Sequence, residues 1–252
     1  MNPVSHPIMP RAALYASIGE AGFCFAPSAA MQAWLLAQGA DALNDWQAFS
    51  ASWNDMPLDQ YMADGGRYRR RRYATLSASA NGGDILLEPH QPHYQHLDYN
   101  VLNGGVARNF EPIAGQVMQG NTMRSILRFC RETFSRLLPA TSWHIECHQF
   151  RIEAASGLQG KPTPEGIHRD GVDFVLVMMV QRINISSGTT TMHDLEQNTL
   201  DSFTLTQPLD SAIVNDSRCM HGVTPIEPIN PDLPAFRDVL VVTFRNADSN
   251  GT

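Results

Sequence analysis

Two histidines and an aspartate are the residues of this sequence whose types and spacing best suit metal binding. His168 and Asp170 lie in the segment GIHRDG, directly before an apolar stretch over 172–180. Alternate side chains of an extended chain share one face, so both can reach one point. His221 follows the apolar stretch 212–214 and is the candidate for a third ligand. Spacing alone leaves a purely structural role for these histidines open.

The chemistry that such a trio supports is oxidation with dioxygen. Two histidines and one carboxylate on one face of a metal leave coordination positions open, as in non-haem iron(II) oxygenases. A 2-oxo acid fills two of these positions and O2 fills a third. Neutral imidazoles and a single carboxylate leave the iron(II) centre positive, which suits an anionic co-substrate. The trio therefore predicts oxidative decarboxylation of the 2-oxo acid, coupled to hydroxylation of a second molecule.

An arginine near the start of an apolar strand is the candidate for binding the co-substrate. The segment AFRDVLVVTFR over 235–245 is typical of a buried strand, where a charge is costly unless it is paired. The planar guanidinium of Arg237 can bind the distal carboxylate of 2-oxoglutarate through two parallel hydrogen bonds. The alternative is an ion pair at the surface, with Asp238 as the partner.

A second polar set lies on one predicted strand, where Gln149, Arg151 and Glu153 alternate with His148, Phe150 and Ile152. If the polar set faces the interior of a barrel, Arg151 can bind a substrate carboxylate or, with Gln149, help to hold the co-substrate. If the set faces water, it is a solvated sheet face. The sequence leaves both interpretations open.

Five arginines form a basic run over 67–72. In an extended strand Arg69 and Arg71 share one face and Arg70 and Arg72 share the other, so one face could reach a pocket and bind a substrate carboxylate. Basic runs are more often solvated, and the pattern favours that interpretation.

Three histidines, His90, His93 and His96, are spaced three residues apart. Pro92 breaks regular structure there, and no carboxylate lies at a suitable spacing. The segment is therefore typical of a loop near the site entrance rather than of a second metal site. Gly104 and Gly105 follow it and indicate a tight turn or a close backbone approach.

Composition narrows the class of protein. The chain has 252 residues, of which 43% are apolar and 17% charged, enough for a sizeable core. The net charge of −7 argues against a nucleic-acid partner. The sequence shows no apolar run that could span a membrane and no pattern of a secretion signal, so we expect a cytoplasmic protein. The four cysteines are far apart and predict neither a disulfide framework nor a zinc site.

The elements that must position these residues change along the chain. Helices are predicted from Ser28 through Leu36, over 41–53, and from Asn121 to a stop before Pro139. After residue 141 the pattern becomes one of short strands, at 143–153, 173–181, 202–206, 211–214 and 237–245. Many short strands behind a helical front predict a closed or double-layered β structure with helices packed outside.

Several ordered blocks resemble one known family. HRDG, HGVTP and FRDVLVVTF, together with CHQFR at 147–151, the segments 99–105 and 108–113, and RYRRRRY, are similar to the bacterial 2-oxoglutarate/Fe(II) dioxygenases related to L-isoleucine dioxygenase. That group includes biofilm- and stress-related proteins. The resemblance covers roughly residues 60–245. Several blocks in the same order are far more specific than any one of them.

The resemblance implies a mainly β fold with flanking helices, a cupin-like double-stranded β-helix or jelly roll. It places His168, Asp170 and His221 on the metal positions and Arg237 on the 2-oxoglutarate arginine. Fe(II), 2-oxoglutarate and O2 would be the cofactor and co-substrates. Because Asp170 is a carboxylate rather than a small residue that leaves room for halide, hydroxylation is favoured over halogenation. The expected substrate is a small molecule, first of all a free aliphatic amino acid.

Two other functions stay open at this point. One is a regulatory protein that binds metal and 2-oxoglutarate without turnover, as the stress- and biofilm-related relatives suggest. The other is a jelly-roll binding protein without a metal. In each case we expect a single domain over 1–252, with a helical part over about 1–60 and a jelly-roll core over about 67–246. We expect no membrane partner, and a homodimer is left open.

Overall fold

Residues 8–100, 102 and 104–248 are described by a computed structural model. Val101 and Asn103 of the block at 99–105 lie outside the described residues, and so does the stretch 1–7 at the start of the chain. The helices are α1 (Arg11–Ala21), α2 (Ser28–Leu36), α3 (Trp46–Ala51), α4 (Gly115–Met118) and α5 (Asn121–Leu137).

The strands are β1 (Phe23–Ala26), β2 (Arg69–Ala78), β3 (Leu86–Leu87), β4 (Glu111–Pro112), β5 (Trp143–Ala154), β6 (Phe174–Ile183), β7 (Ile185–Ser187), β8 (Thr190–His193), β9 (Thr199–Phe203), β10 (Ser211–Asn215), β11 (Met220–Val223), β12 (Ile226–Pro228) and β13 (Ala235–Asn246). A large sheet has the order β1-β10-β6-β13-β5-β2-β3, with β4 parallel to β2. Two smaller sheets, β11-β8-β9 and β12-β7, complete the fold.

Both faces of the large sheet are covered: one packs against the helices and the other lines a cavity. Leu240 and Val242 of β13 point toward the helices and join the main core cluster. The alternate residues Val239 and Val241 point the other way and line a cavity. Because side chains alternate along a strand, each central strand contributes to the core and to the cavity at once.

The helical layer is fixed by aromatic contacts on the buried face of α5. Phe134 of α5 stacks on Phe174 of β6 with ring centroids 4.8 Å apart, and Phe129 stacks on Trp34 of α2 at 5.7 Å. Burial of each such ring stabilises the fold by about 1.5–3 kcal/mol relative to an exposed ring. The helical layer therefore supports the sheet from outside and leaves its inner face free.

Two of the predicted helices are confirmed, with differences at their starts. α5 ends before Pro139 as predicted, but Asn121 does not cap it; the carboxylate of Asp45 accepts the Thr122 amide at 2.8 Å instead. Asp45 comes from the segment predicted as a helix over 41–53, of which only 46–51 is helical. A residue distant in sequence thus caps α5, which no local pattern could show.

The part expected to be helical over about 1–60 contains a strand. β1 pairs antiparallel with β10 at the edge of the large sheet, from Phe23 opposite Val214 to Ala26 opposite Ser211. β1 is a short apolar segment whose backbone hydrogen bonds come from a strand distant in sequence. Local periodicity therefore did not predict this strand. The fold class is confirmed: a mainly β double-stranded β-helix with flanking helices. The single domain stays a prediction.

No helix among the described residues is long and apolar enough to cross a bilayer.

Candidate active site

A short antiparallel bridge brings two of the predicted ligands together. The amide of His168 donates to the carbonyl of His221 at 2.9 Å, and the amide of His221 returns a bond of the same length. Their ring centroids are 4.5 Å apart. His221 lies on β11 and His168 in the loop before β6, so backbone pairing places two residues of distant sequence side by side.

The carboxylate of Asp170 completes the trio. Its Oδ1 lies 3.6 Å from Nε2 of His168, and its Oδ2 lies 3.8 Å from Nε2 of His221. One ligand atom from each of the three residues lies within 4.8 Å of the others. All three side chains line one cavity on the inner face of the large sheet. The convergence predicted from alternation along 168–170 is present.

Burial and hydrogen bonding set the protonation of the three side chains. Nδ1 of His168 donates to the carbonyl of Gly166 at 3.0 Å, which directs Nε2 toward the other two side chains. Burial opposes protonation of His168, but its hydrogen bond to Asp170 outweighs this and raises the pKa to about 9, so without a metal Nε2 carries a proton that a bound ion would displace. Burial, reinforced by the neighbouring His168, lowers the pKa of His221 to about 4 and keeps that imidazole neutral. Burial raises the pKa of Asp170, but its hydrogen bond to His168 outweighs this and the pKa lies below its ordinary value.

Arg237 occupies the same cavity and is almost completely buried, with 2% of its surface exposed. Its Nε and Nη1 have no hydrogen-bond partner among the described residues. The alternative of a surface ion pair with Asp238 is wrong, because Asp238 pairs with Arg151 at 2.7 Å. Burial lowers the pKa of Arg237 to about 10, so the guanidinium is charged at neutral pH.

Gln149 and Arg151 do not line this cavity, which corrects the expectation that they bind the co-substrate or substrate. Arg151 binds both oxygens of Asp238 at 2.7 Å, and Nε2 of Gln149 donates to Ser52. The alternate residues of β5, His148, Phe150 and Ile152, face the cavity instead. Both faces of the sheet are buried, so alternation alone could not show which set faces inward.

The basic run at 67–72 also differs from the favoured interpretation. Arg69 and Arg71 are buried and line the cavity, while Arg70 and Arg72 are on the opposite face. A further buried arginine, Arg108, lines it as well and was missed by the sequence argument. It lies in an irregular segment with no periodicity that would indicate burial.

The three evenly spaced histidines do not form a metal site with one another. His93 is buried, whereas His90 and His96 are exposed. His93 instead joins Glu146 and His148 in a second group whose ligand atoms lie within 4.8 Å. Glu146 and His148 are close in sequence, but His93 comes from a loop more than fifty residues earlier, so spacing could not reveal the group.

A family model described as 2OG-Fe dioxygenase matches residues 50–243. The chain belongs to this family. Two curated relatives have similar sequences. One, from Pantoea ananatis, is named 3(1)-hydroxy-L-isoleucine 4-dioxygenase and is 22% identical over 235 residues, 90% of this chain and 93% of the relative. The other, from Bacillus thuringiensis, is named L-isoleucine-4-hydroxylase and is 25% identical over 194 residues, 74% of this chain and 80% of the relative.

Solved structures agree with the fold. A bsmA homolog from Methylobium petroleophilum has a TM-score of 0.85 at 34% identity, with 97% of this chain and 96% of that chain covered. IDO from Bacillus thuringiensis has a TM-score of 0.77 at 17% identity and covers 95% of this chain and 100% of that chain. The chain is a non-haem iron oxygenase of the 2OG-Fe dioxygenase family, which uses Fe(II), 2-oxoglutarate and O2.

The residues in the cavity fit both the metal and the co-substrate of this family. Two imidazoles and one carboxylate are the donor set of non-haem iron(II) sites. Arg237 is a buried guanidinium with two nitrogens that lack a partner in the described part of the chain, and a buried charge in that state is stabilised by a carboxylate partner. A 2-oxoglutarate molecule that bridges these groups would supply that partner.

Asp216 holds the loop that carries Asp170 and was not found from the sequence. Its Oδ1 accepts the amide of Asp170 at 2.9 Å, and its Oδ2 accepts the amides of Gly171 at 2.8 Å and Val172 at 3.1 Å. Asp216 is fully buried directly after β10. A carboxylate that binds three successive amides fixes the direction of the Asp170 side chain, so Asp216 is a positioning residue.

Asp216→Asn is expected to weaken Fe(II) binding about 10- to 100-fold, the usual effect of losing a group that orients a metal ligand. The amide has one acceptor oxygen and would place an N–H group against backbone donors. Isothermal titration with Fe(II) under anaerobic conditions measures the effect. Asp210→Asn is the matched control, because Asp210 is also buried and accepts three amides, those of Ser28, Thr206 and Gln207, in another loop. Equal Fe(II) affinities in the two variants would contradict the role given to Asp216.

Proposed function

We propose that this protein hydroxylates a small molecule, a free aliphatic amino acid in the first place, in a reaction that depends on Fe(II) and 2-oxoglutarate. His168, Asp170 and His221 hold the iron, and Arg237 binds the distal carboxylate of 2-oxoglutarate. The observation that carries the proposal is the cavity that joins three convergent ligands to a buried, unpartnered guanidinium. A buried charge without a partner is costly, and perturbed titratable groups of this kind cluster at functional sites.

Each residue has a distinct part in the reaction. Bound Fe(II) supplies the activation of O2 that oxidises both the co-substrate and the substrate. The trio presents two neutral donors and one anionic donor, and Arg237 orients 2-oxoglutarate by pairing with the carboxylate that does not react. Val177, Val239 and Val241 line the cavity and exclude water from the reacting groups.

Two observations support the substrate class, and a third supports the type of reaction. Both curated relatives are named for reactions on isoleucine or a hydroxylated isoleucine. The cavity combines apolar side chains, which suit an aliphatic chain, with charged groups besides the trio. Asp170 occupies the coordination position that a halide would need, which favours hydroxylation over halogenation.

The test is succinate formation by anaerobically iron-loaded protein supplied with O2, 2-oxoglutarate and each of the common L-amino acids. The expected result is succinate production that requires both Fe(II) and 2-oxoglutarate, and that rises with at least one aliphatic amino acid. A hydroxylated product identified by mass spectrometry would accompany it. Absence of succinate under all conditions, with 2-oxoglutarate bound, would favour the regulatory alternative. The cytoplasmic location, the absence of nucleic-acid and membrane partners and the homodimer stay predictions.

A further inference from the structure

Two buried arginines of the cavity, Arg71 and Arg108, have no carboxylate partner among the described residues. They are 4% and 1% exposed, respectively. Nη2 of Arg71 donates to Nδ1 of His148 at 2.9 Å, and Nη2 of Arg108 reaches a neutral amide oxygen, that of Gln95, at 3.5 Å. The Nε atom of each arginine has no partner. A buried guanidinium that lacks an anion is costly, and such groups mark binding sites.

Arg69, on the same face of β2, differs from this pair because it has a carboxylate partner. Its guanidinium binds the buried carboxylate of Asp59 at 2.7 and 2.8 Å. The fold therefore supplies a carboxylate partner to Arg69 and leaves the pair, Arg71 and Arg108, without one among the described residues. Burial and the neighbouring Arg69 charge both lower the pKa of Arg71, so an anion bound there would be stabilising.

The pair is held in place without an anion. The Arg71 guanidinium lies over the ring of Phe110 at 3.9 Å and over the ring of Phe150 at 4.7 Å. Cation–π contacts of this kind fix the plane of the guanidinium while its edge stays available for hydrogen bonds. A ligand would therefore meet a preorganised donor rather than a mobile side chain.

Glu146 is a carboxylate that lines the same cavity as the pair. Its carboxylate accepts the Tyr73 hydroxyl at 2.7 Å and lies 3.4 Å from Nε2 of His148. Burial opposes ionisation, but hydrogen bonds from three histidines outweigh it and hold the pKa of Glu146 below its ordinary value. Burial, with Arg71 nearby, lowers the pKa of His148 to about 3, so this imidazole is neutral.

The same contacts argue against a metal in the group formed by His93, Glu146 and His148. A guanidinium can only donate, so Nδ1 of His148 accepts from Arg71 and its proton lies on Nε2, directed at Glu146. That nitrogen has no free lone pair for a metal. Arg71 and Arg108 bring two positive charges to this cavity, and the carboxylates of Glu146 and Glu165 also line it.

The pair is connected to the metal-binding loop through Gln95. Nε2 of Gln95 donates to the carbonyl of Asp170 at 3.1 Å, while its Oε1 faces Arg108. One glutamine side chain therefore spans from the metal loop to the arginine pair. A carboxylate bound at the pair would lie in the same cavity as the trio, with Phe150 in the lining.

We propose that Arg71 and Arg108 bind the carboxylate of an aliphatic substrate. The assignment rests on the proposed function for the identity of the ligand as substrate, but the binding site itself does not require turnover. It differs from the Arg237 site, which lies elsewhere in the cavity and serves the co-substrate.

The test is calorimetry on protein loaded with zinc(II), which does not turn over, in the presence of 2-oxoglutarate. The probes are the aliphatic L-amino acids and their carboxamides, L-isoleucine and L-isoleucinamide among them. In the unaltered protein, the acid that binds best is expected to bind about 30-fold or more tightly than its amide, the usual range for a buried charged pair. An acid-to-amide ratio near one, or no binding by any acid of the panel, would overturn the proposal.

Variants locate the effect. Arg71→Met and Arg108→Met are each expected to weaken binding of the acid about 30-fold or more and to bring the acid-to-amide ratio close to one. Arg72→Met is the matched control, because Arg72 is the next residue of β2, faces away from the cavity and donates to the carbonyl of Asp55. A ratio that persists in both cavity variants would overturn the proposal. The comparison of acid with amide in the unaltered protein decides the matter if a variant fails to fold.

The calorimetry also separates this inference from the proposed function. If the acid binds much more tightly than its amide but no succinate forms, the proposed hydroxylase activity is contradicted and the carboxylate site is supported. If succinate formation rises equally with the acid and with its amide, the hydroxylase activity is supported and the carboxylate site is contradicted.

Discussion

His221→Ala is expected to abolish succinate formation and to weaken Fe(II) binding by more than about 100-fold, beyond the effect of losing an orienting group. His221 is one of only two neutral donors in the trio, and its removal leaves a histidine and an aspartate that already lie 3.6 Å apart. His168→Ala is expected to act alike. Anaerobic titration with Fe(II) and a succinate assay measure the two effects.

His96→Ala serves as the control for both histidine variants. His96 is exposed and pairs with Asp98 away from the trio. It should keep the Fe(II) affinity and turnover of the unaltered protein. His221→Ala could still form succinate with Fe(II) at a rate within about tenfold of the control. That result would be incompatible with a role for His221 as a ligand.

Arg237→Met is expected to raise the KM for 2-oxoglutarate about 30-fold or more, because a buried carboxylate would lose its charged partner. Arg237→Lys should give a smaller increase, since an ammonium keeps the charge but loses the two parallel hydrogen bonds. Steady-state kinetics with varied 2-oxoglutarate measure the KM, and calorimetry measures the affinity independently of turnover.

Arg245→Met is the matched control for these variants. Arg245 is half-buried at the far end of β13, on the same strand as Arg237 and outside the cavity. Its substitution should leave the KM for 2-oxoglutarate unchanged. If Arg237→Lys binds 2-oxoglutarate as tightly as the control does, the distal carboxylate is bound elsewhere.

The metal trio and Arg237 could be predicted because their signals are local. His168 and Asp170 are alternate residues just before an apolar strand. Arg237 lies near the start of a long apolar strand, where burying a charge is costly unless the charge is paired. The family blocks added the order in which these segments occur. The structure then showed what the sequence could not: a two-way backbone bridge that joins His168 to His221.

The polar strand at 149–153 shows why part of the site could not be predicted. Period-two alternation identifies two faces but not which of them points inward, and here both faces are buried. Gln149 and Arg151 therefore seemed as suitable as His148 and Phe150. The inward set is fixed by the packing of the helices on the other face, a tertiary effect.

Asp216, Arg108 and Glu146 were missed for a different reason. Each acts through neighbours distant in sequence: Asp216 through the amides at 170–172, Arg108 through Gln95, and Glu146 through histidines on two elements. One signal was available for Asp216, which directly follows β10 and comes five residues before His221. A charged residue between a buried strand and a predicted ligand is a candidate for positioning that ligand.

The most direct measurement is a crystal structure of the protein grown without oxygen in the presence of Fe(II) and 2-oxoglutarate. The account predicts an anomalous iron peak bound by Nε2 of His168, a carboxylate oxygen of Asp170 and Nε2 of His221, with the distal carboxylate of 2-oxoglutarate on Arg237. An iron peak at His93, Glu146 and His148, or 2-oxoglutarate bound away from Arg237, would contradict it.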